Sequence, residues 1–244
     1  MALPWRHTYV NDRLDMTVMH AMHSALRREL RHIARITARY DPDPRHILRG
    51  AAGWEMFRRA LRAHHGAEDD ALWPALREAL DGRPYDLTRL EAIEVEHAVL
   101  ARLVGTVDEA LADPGIDPVL LSELANSLVT GLAGHLAHEE DAVFPLVQAV
   151  VDEEQWEHFG RAHAQRIAPH AAQLLPWLLE GADEHTTTVV LAQLPTHVRR
   201  AYTYQWQPAY AVLDRWRIQV PSSRYLLPTP ASMPVGPQPL KELS

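Results

Sequence analysis

The most constraining feature of this chain is a segment that it contains twice. Residues 64–76 read HHGAEDDALWPAL, and residues 135–147 read HLAHEEDAVFPLV. Aligned on their prolines, His64 pairs with His135, Glu68 with Glu139, Asp70 with Asp141, Ala71 with Ala142 and Pro74 with Pro145. An aromatic residue, Trp73 or Phe144, precedes each proline. Histidine and glutamate at i and i+4 share one face of a helix, one turn apart. Two imidazoles and two carboxylates projecting inward from two helices are a donor set suited to a divalent transition metal. The proline six residues after each glutamate predicts a helix that kinks or ends just past the site, because it lacks an amide donor.

The flanking sequence is helical in character. Ala, Leu, Arg and Glu dominate, and apolar residues recur at three- and four-residue steps. A first helix is expected from Asp15 or Thr17 to Tyr40, broken by Asp41-Pro42-Asp43-Pro44. A second runs from about Arg45 to Leu80, before the turn Asp81-Gly82-Arg83-Pro84. The third covers roughly Leu87 to Leu111, and the fourth runs from Pro118 to about Val150. Short connections favour antiparallel neighbours, so the expected fold is all-α: an antiparallel four-helix bundle over residues 1–150. Residues 151–218 predict a helical extension in shorter pieces, punctuated by Pro169, Pro176, Gly181 and Pro195. Residues 219–244 hold Pro221, Pro228, Pro230, Pro234, Pro237 and Pro239, and predict a disordered or surface-draped tail.

Composition narrows the chemistry. The chain has no cysteine, which removes disulfides, thiolate metal sites, iron–sulfur clusters and a cysteine nucleophile. Any metal must be held by nitrogen and oxygen. The formal charge of −8 argues against nucleic acid as a partner. No stretch approaches about 18 uninterrupted apolar residues and the amino-terminal segment lacks a signal-peptide core, so a cytoplasmic protein without a membrane partner is expected.

A bundle-core site draws on all four helices. The first offers His20 and His23, and the third offers His97, preceded by Glu96. With these residues in place, the chain resembles the hemerythrin-like (HHE cation-binding) family of di-iron four-helix bundles. The resemblance rests on a histidine before Leu-Arg in the first helix, the paired HxxxE motif with its downstream proline, and Glu-His on the third helix. It spans residues 15–150. It implies His23, His64, Glu68, His97, His135 and Glu139 as ligands of two non-haem irons with an oxo or hydroxo bridge, the two glutamates spanning the metals. The chain departs from the oxygen-carrying members at Ala101, where those proteins have a second histidine one turn beyond the first. On the implied ligand count two coordination positions stay open unless another residue fills one. In ligand count this resembles the iron-centre repair and nitric-oxide-reducing branch, but the sequence holds no cysteine to match that branch's cysteine-bearing amino-terminal domain, and that activity is not carried over.

Several neighbours keep two readings at this stage. Asp69, Glu140, His138 and Glu96 belong either to a solvated face or to hydrogen bonds that orient ligand rings. His65 competes with His64, but only His64 keeps register with the second copy. His158, His163, His170, His185 and His197 lack any motif, though one could reach the site from the extension. The aromatic run Tyr202, Tyr204, Trp206 and Tyr210 predicts packing first, and a small pocket second.

The leading functional expectation is a di-iron redox protein that reacts with hydrogen peroxide, oxygen or nitric oxide. Two alternatives stand beside it: a sensor or binding module without turnover, and an oxygenase or oxidase with a small organic substrate. Glu94-Val-Glu-His97 matches the Glu-x-x-His of ferritin-like carboxylate sites, but no second copy follows within the bundle. A zinc hydrolase of the HExxH kind lacks its motif. Zinc or manganese in place of iron stays open on ligand type alone.

Overall fold

The computed structural model describes residues 13–38 and 44–216, and every regular element among them is helical. The helices are α1 (Thr17–Thr37), α2 (Pro44–Gly50), α3 (Ala52–Ala67), α4 (Trp73–Ala79), α5 (Pro84–Ala112), α6 (Pro118–His138) and α7 (Phe144–Val150). They are followed by α8 (Glu153–Ile167), α9 (Ala171–Leu179), α10 (Glu184–Ala192), α11 (Thr196–Ala201) and α12 (Gln207–Ala211). The proline-rich tail expected at 219–244 lies outside the described residues. Among those described, no helix is long and apolar enough to cross a membrane.

Four long helical rods form a ring, in which α1 packs on α3 and α6, and α5 packs on the same two. Two apolar clusters give their directions. One joins Leu14, Met16 and Met19 at the start of α1 with Leu76 of α4, Leu90 and Ile93 early in α5, and Leu146 and Val147 of α7. The other joins Ile33 and Ile36 late in α1 with Trp54 and Phe57 early in α3, Val107 and Leu111 late in α5, and Leu121 and Ala125 early in α6. Starts of α1 and α5 thus meet the ends of the rods between them, so neighbours run antiparallel. Between the clusters lies a polar layer holding His23, His64, His65, Glu68, His97, His135 and Glu139, all buried.

Two sequence expectations are corrected. The second helix does not run unbroken from Arg45. Ala51 is extended (φ −81°, ψ 124°), so α2 and α3 are separate. Gly53 beside the break donates its backbone amide to the Arg215 carbonyl at 2.8 Å. It also has no Cβ to meet the Trp216 ring, which would lie 2.5 Å away. The second correction concerns the repeated prolines, which do not end their rods. Each rod widens into a five-residue π turn, Glu68–Leu72 and Glu139–Val143, and continues as α4 or α7 with the proline in the first turn. A wider turn avoids the clash of the proline ring with the carbonyl four residues back.

The helices after Val150 lie against one flank of the ring. α8 packs on α3 and on the π turn 68–72, α9 on α1 and α3, and α10 on α1. A capping box starts α8: the Asp152 side chain accepts from the Gln155 amide, and the Gln155 side chain accepts from that of Asp152.

Candidate metal centre

α1 and α5, together with α3 and α6 and the π turns that follow them, bring the six residues expected from sequence into one layer. His23, His64, Glu68 and Glu139 each place a donor atom within 4.8 Å of the others. His65, His97 and His135 form a second group on the same criterion. The two groups share the glutamates. Glu68 has Oε1 3.3 Å from His64 Nε2 and Oε2 3.6 Å from His97 Nε2. Glu139 Oε2 lies 3.3 Å from His23 Nε2 and 3.7 Å from His135 Nε2.

His65 is the residue that register alone passed over. Adjacent helical residues are about 100° apart. Because α3 stands between α1 and α5, His64 faces His23 while its neighbour faces His97. The His65 ring stacks on His97 with centroids 3.9 Å apart and meets His135 edge-on at 5.0 Å. His20, the rival of His23, is exposed and packs against Phe144 instead.

A layer of this kind is costly unless something satisfies it. Both carboxylate oxygens of Glu68 and of Glu139 are buried without a hydrogen-bond partner, as are Nε2 of His65, His97 and His135. Each such orphan costs about 1–3 kcal/mol, and more when charged. His23 Nε2 and His64 Nε2 face each other at 3.1 Å, a separation that two ligands of one ion can adopt. Nitrogen and oxygen donors that converge and lack partners fit a bound cation.

Electrostatics of the metal-free layer are correspondingly strained. Burial, reinforced by the neighbouring Glu139 carboxylate, pushes Glu68 well above the usual carboxylate range. Burial also opposes charge on Glu139, but His23, His135 and His97 outweigh it and hold that carboxyl below its ordinary value. His23 is desolvated, yet Glu139 and Glu140 raise its pKa. Burial drives His64 and His65 well below the ordinary histidine value, so both rings stay neutral and able to ligate.

The carboxylates that sequence left undecided orient rings. Glu140 Oε1 lies 2.8 Å from His23 Nδ1 and also binds Arg27, which brings its pKa to about 2 despite burial. Asp69 Oδ1 lies 2.7 Å from His97 Nδ1. Glu96 spans two rings, at 2.9 Å from His135 Nδ1 and 2.8 Å from His138 Nδ1. Carboxylates in these places fix the tautomer and leave Nε2 free for a metal. His163, one of the histidines without a motif, is buried beside His64 with ring centroids 5.8 Å apart, and desolvation brings its pKa to about 4. His158, His185 and His197 are exposed, and His170 pairs with Arg59 away from the layer.

The aromatic run near the carboxy terminus takes part in a cleft of about 780 Å³, lined by Tyr202, Tyr210, Glu180, Arg215, Trp216 and His32 among others. None of its lining residues belongs to either donor group.

A helical bundle whose buried polar layer holds one His/Glu donor group and one of three histidines defines a class of cation-binding helical proteins. The hemerythrin HHE cation-binding domain matches residues 15–147, with a second, overlapping match at 88–200. The chain belongs to that family. Comparison with curated proteins and with solved structures gave no match.

Proposed function

We propose that the protein is a non-haem di-iron protein that reacts with a small oxidant or diatomic: hydrogen peroxide, oxygen or nitric oxide. One ion is held by His23 and His64, the other by His65, His97 and His135, with Glu68 and Glu139 shared between them. The observation that carries this reading is the sharing: each glutamate reaches toward a histidine of both groups. Five imidazoles and two carboxylates suit iron, and a bound pair of irons would supply reversible one-electron chemistry next to a small ligand.

The chain's own residues act in three ways. Asp69, Glu96 and Glu140 hold ring tautomers and raise imidazole basicity. The two apolar clusters shield the layer from bulk solvent and limit entry to small species, since His23, His64, Glu68 and Glu139 are fully buried. Of the two shared carboxylates, His23 favours the charged form of Glu139, while burial and the Glu139 carboxylate favour the protonated form of Glu68, which a bound cation would reverse.

The test is metal analysis and near-ultraviolet absorption of protein loaded with iron, followed by peroxide and nitric oxide turnover per iron. Two irons per chain with charge-transfer bands, lost in Glu139→Ala, are expected; one tightly held zinc, or no metal, overturns the reading. A sensor reading is favoured by one observation, the packing of α8 on the π turn that carries Glu68. Iron-dependent ligand binding with negligible turnover would select it.

A further inference from the structure

Three rings of the layer have their outward nitrogen held by a carboxylate: Glu140 on His23, Asp69 on His97 and Glu96 on His135. His64 breaks that pattern. Its Nδ1 is buried and has no hydrogen-bond partner. The ring beside it is His163 of α8, whose Nε2 is likewise buried and without a partner. The two rings stand edge to face at an interplanar angle of 74°, centroids 5.8 Å apart.

α8 is held firmly in that place. Phe159, one turn before His163 and stacked on its ring at 6.1 Å, is buried in the apolar cluster that holds Leu14, Met16 and Met19. One turn further on, Arg166 pairs with Asp70 of the π turn. The Arg166 guanidinium also covers Gly66, where an added Cβ would come within 2.8 Å of Nη1. The absent side chain at Gly66 lets α8 approach α3 at the level of His64.

We propose that His163 is the positioning partner of His64, joined to it by one water between His64 Nδ1–H and His163 Nε2. A helix outside the four-rod ring thereby orients a metal ligand. A polar gap wider than a direct hydrogen bond is bridged by water when both sides offer complementary groups. Here the complementarity is fixed by function. For His64 to present Nε2 to an ion, its proton must sit on Nδ1, which then needs an acceptor. A neutral His163 carrying its own proton on Nδ1 offers Nε2 as that acceptor. A neutral partner donates less electron density than a carboxylate, so His64 is less basic than His23, His97 and His135, and loss of His163 loosens the ion that His64 holds.

The consequence for metal exchange rests on the two-iron reading above; the pairing itself does not. The test therefore has two arms on the full chain. In the metal-free protein, nitrogen-15 spectra of labelled histidine should show His64 as a single tautomer. His163→Leu should turn it into a mixture, and His163→Gln, which keeps a polar side chain, should restore it. His64 resonances unmoved by His163→Leu overturn the proposal. In iron-loaded protein, release to a chelator of the ion that His64 holds should speed up about tenfold in His163→Leu and return to within about threefold of wild type in His163→Gln. Equal release rates in all three also overturn it. A wild-type chain that shows the tautomer effect but holds no iron supports the pairing and overturns the two-iron reading.

Discussion

Asp69 Oδ1 lies 2.7 Å from Nδ1 of His97, a hydrogen bond between a π turn and a neighbouring rod across 28 positions of sequence. Glu140 stands in the matching place of the second copy and serves His23 in the same way. The repeated Glu-Asp and Glu-Glu pairs thus combine two tasks. The first carboxylate points into the layer, and the second reaches the outward nitrogen of a ring on another helix. Asp69→Asn should weaken metal binding about 10–100-fold with little change in fold, since Asp69 is itself exposed. Competition with a coloured chelator measures it, and unchanged affinity would remove Asp69 from the site.

The shared glutamates predict a pattern in metal stoichiometry. Glu68→Ala and Glu139→Ala should each lose both ions, because each carboxylate reaches both donor groups. His65→Ala and His97→Ala should lose chiefly one, because those rings belong to the second group alone. Metal analysis after gel filtration reads the outcome. Retention of two ions by His65→Ala would return His65 to a packing role.

Acid should destabilise the metal-free protein, partly through His163. Burial lowers its pKa to about 4, below the ordinary histidine value of 6.5. The unfolded chain therefore takes up a proton near pH 6.5 that the folded ring refuses until near pH 4. This contribution is fully present above pH 6.5 and is lost as pH falls through that window. Between pH 7.5 and 5, His163→Leu should lose about 2 kcal/mol less stability than wild type. Urea titrations at the two pH values test this, and equal losses would show that His163 titrates normally.

Two glycines should respond oppositely to alanine. At Gly53 a Cβ would meet the Trp216 ring at 2.5 Å, and Trp216 is tied to Glu29 by a 3.0 Å hydrogen bond. Gly53→Ala should cost about 1–3 kcal/mol through overpacking, which exceeds any gain in helix propensity. At Gly105, within α5, nothing lies within 4 Å of an added Cβ. Gly105→Ala should stabilise by about 0.5–1 kcal/mol. Thermal unfolding midpoints that move in the same direction would contradict this account.

The helices, their polarity and most of the donor set were legible in the chain alone. Helical periodicity reports which residues share a face, and the repeat at 64–76 and 135–147 marks His64, Glu68, His135 and Glu139 without reference to a neighbour. His23 and His97 needed the resemblance as well, since a single histidine carries no register of its own. Tertiary packing decided the rest. His65 lies off the repeated face and becomes a donor candidate because α5 covers that flank of α3. Asp69, Glu96 and Glu140 could equally have faced solvent; only the positions of other rods assign each one a ring. His163 had no motif, and only α8 lying against α3 brings it to His64. The physical reason is common to all of these. Sequence spacing sets angles about a helix's own axis, whereas the groups that meet across the layer depend on distances between axes, which side-chain packing along the whole bundle determines.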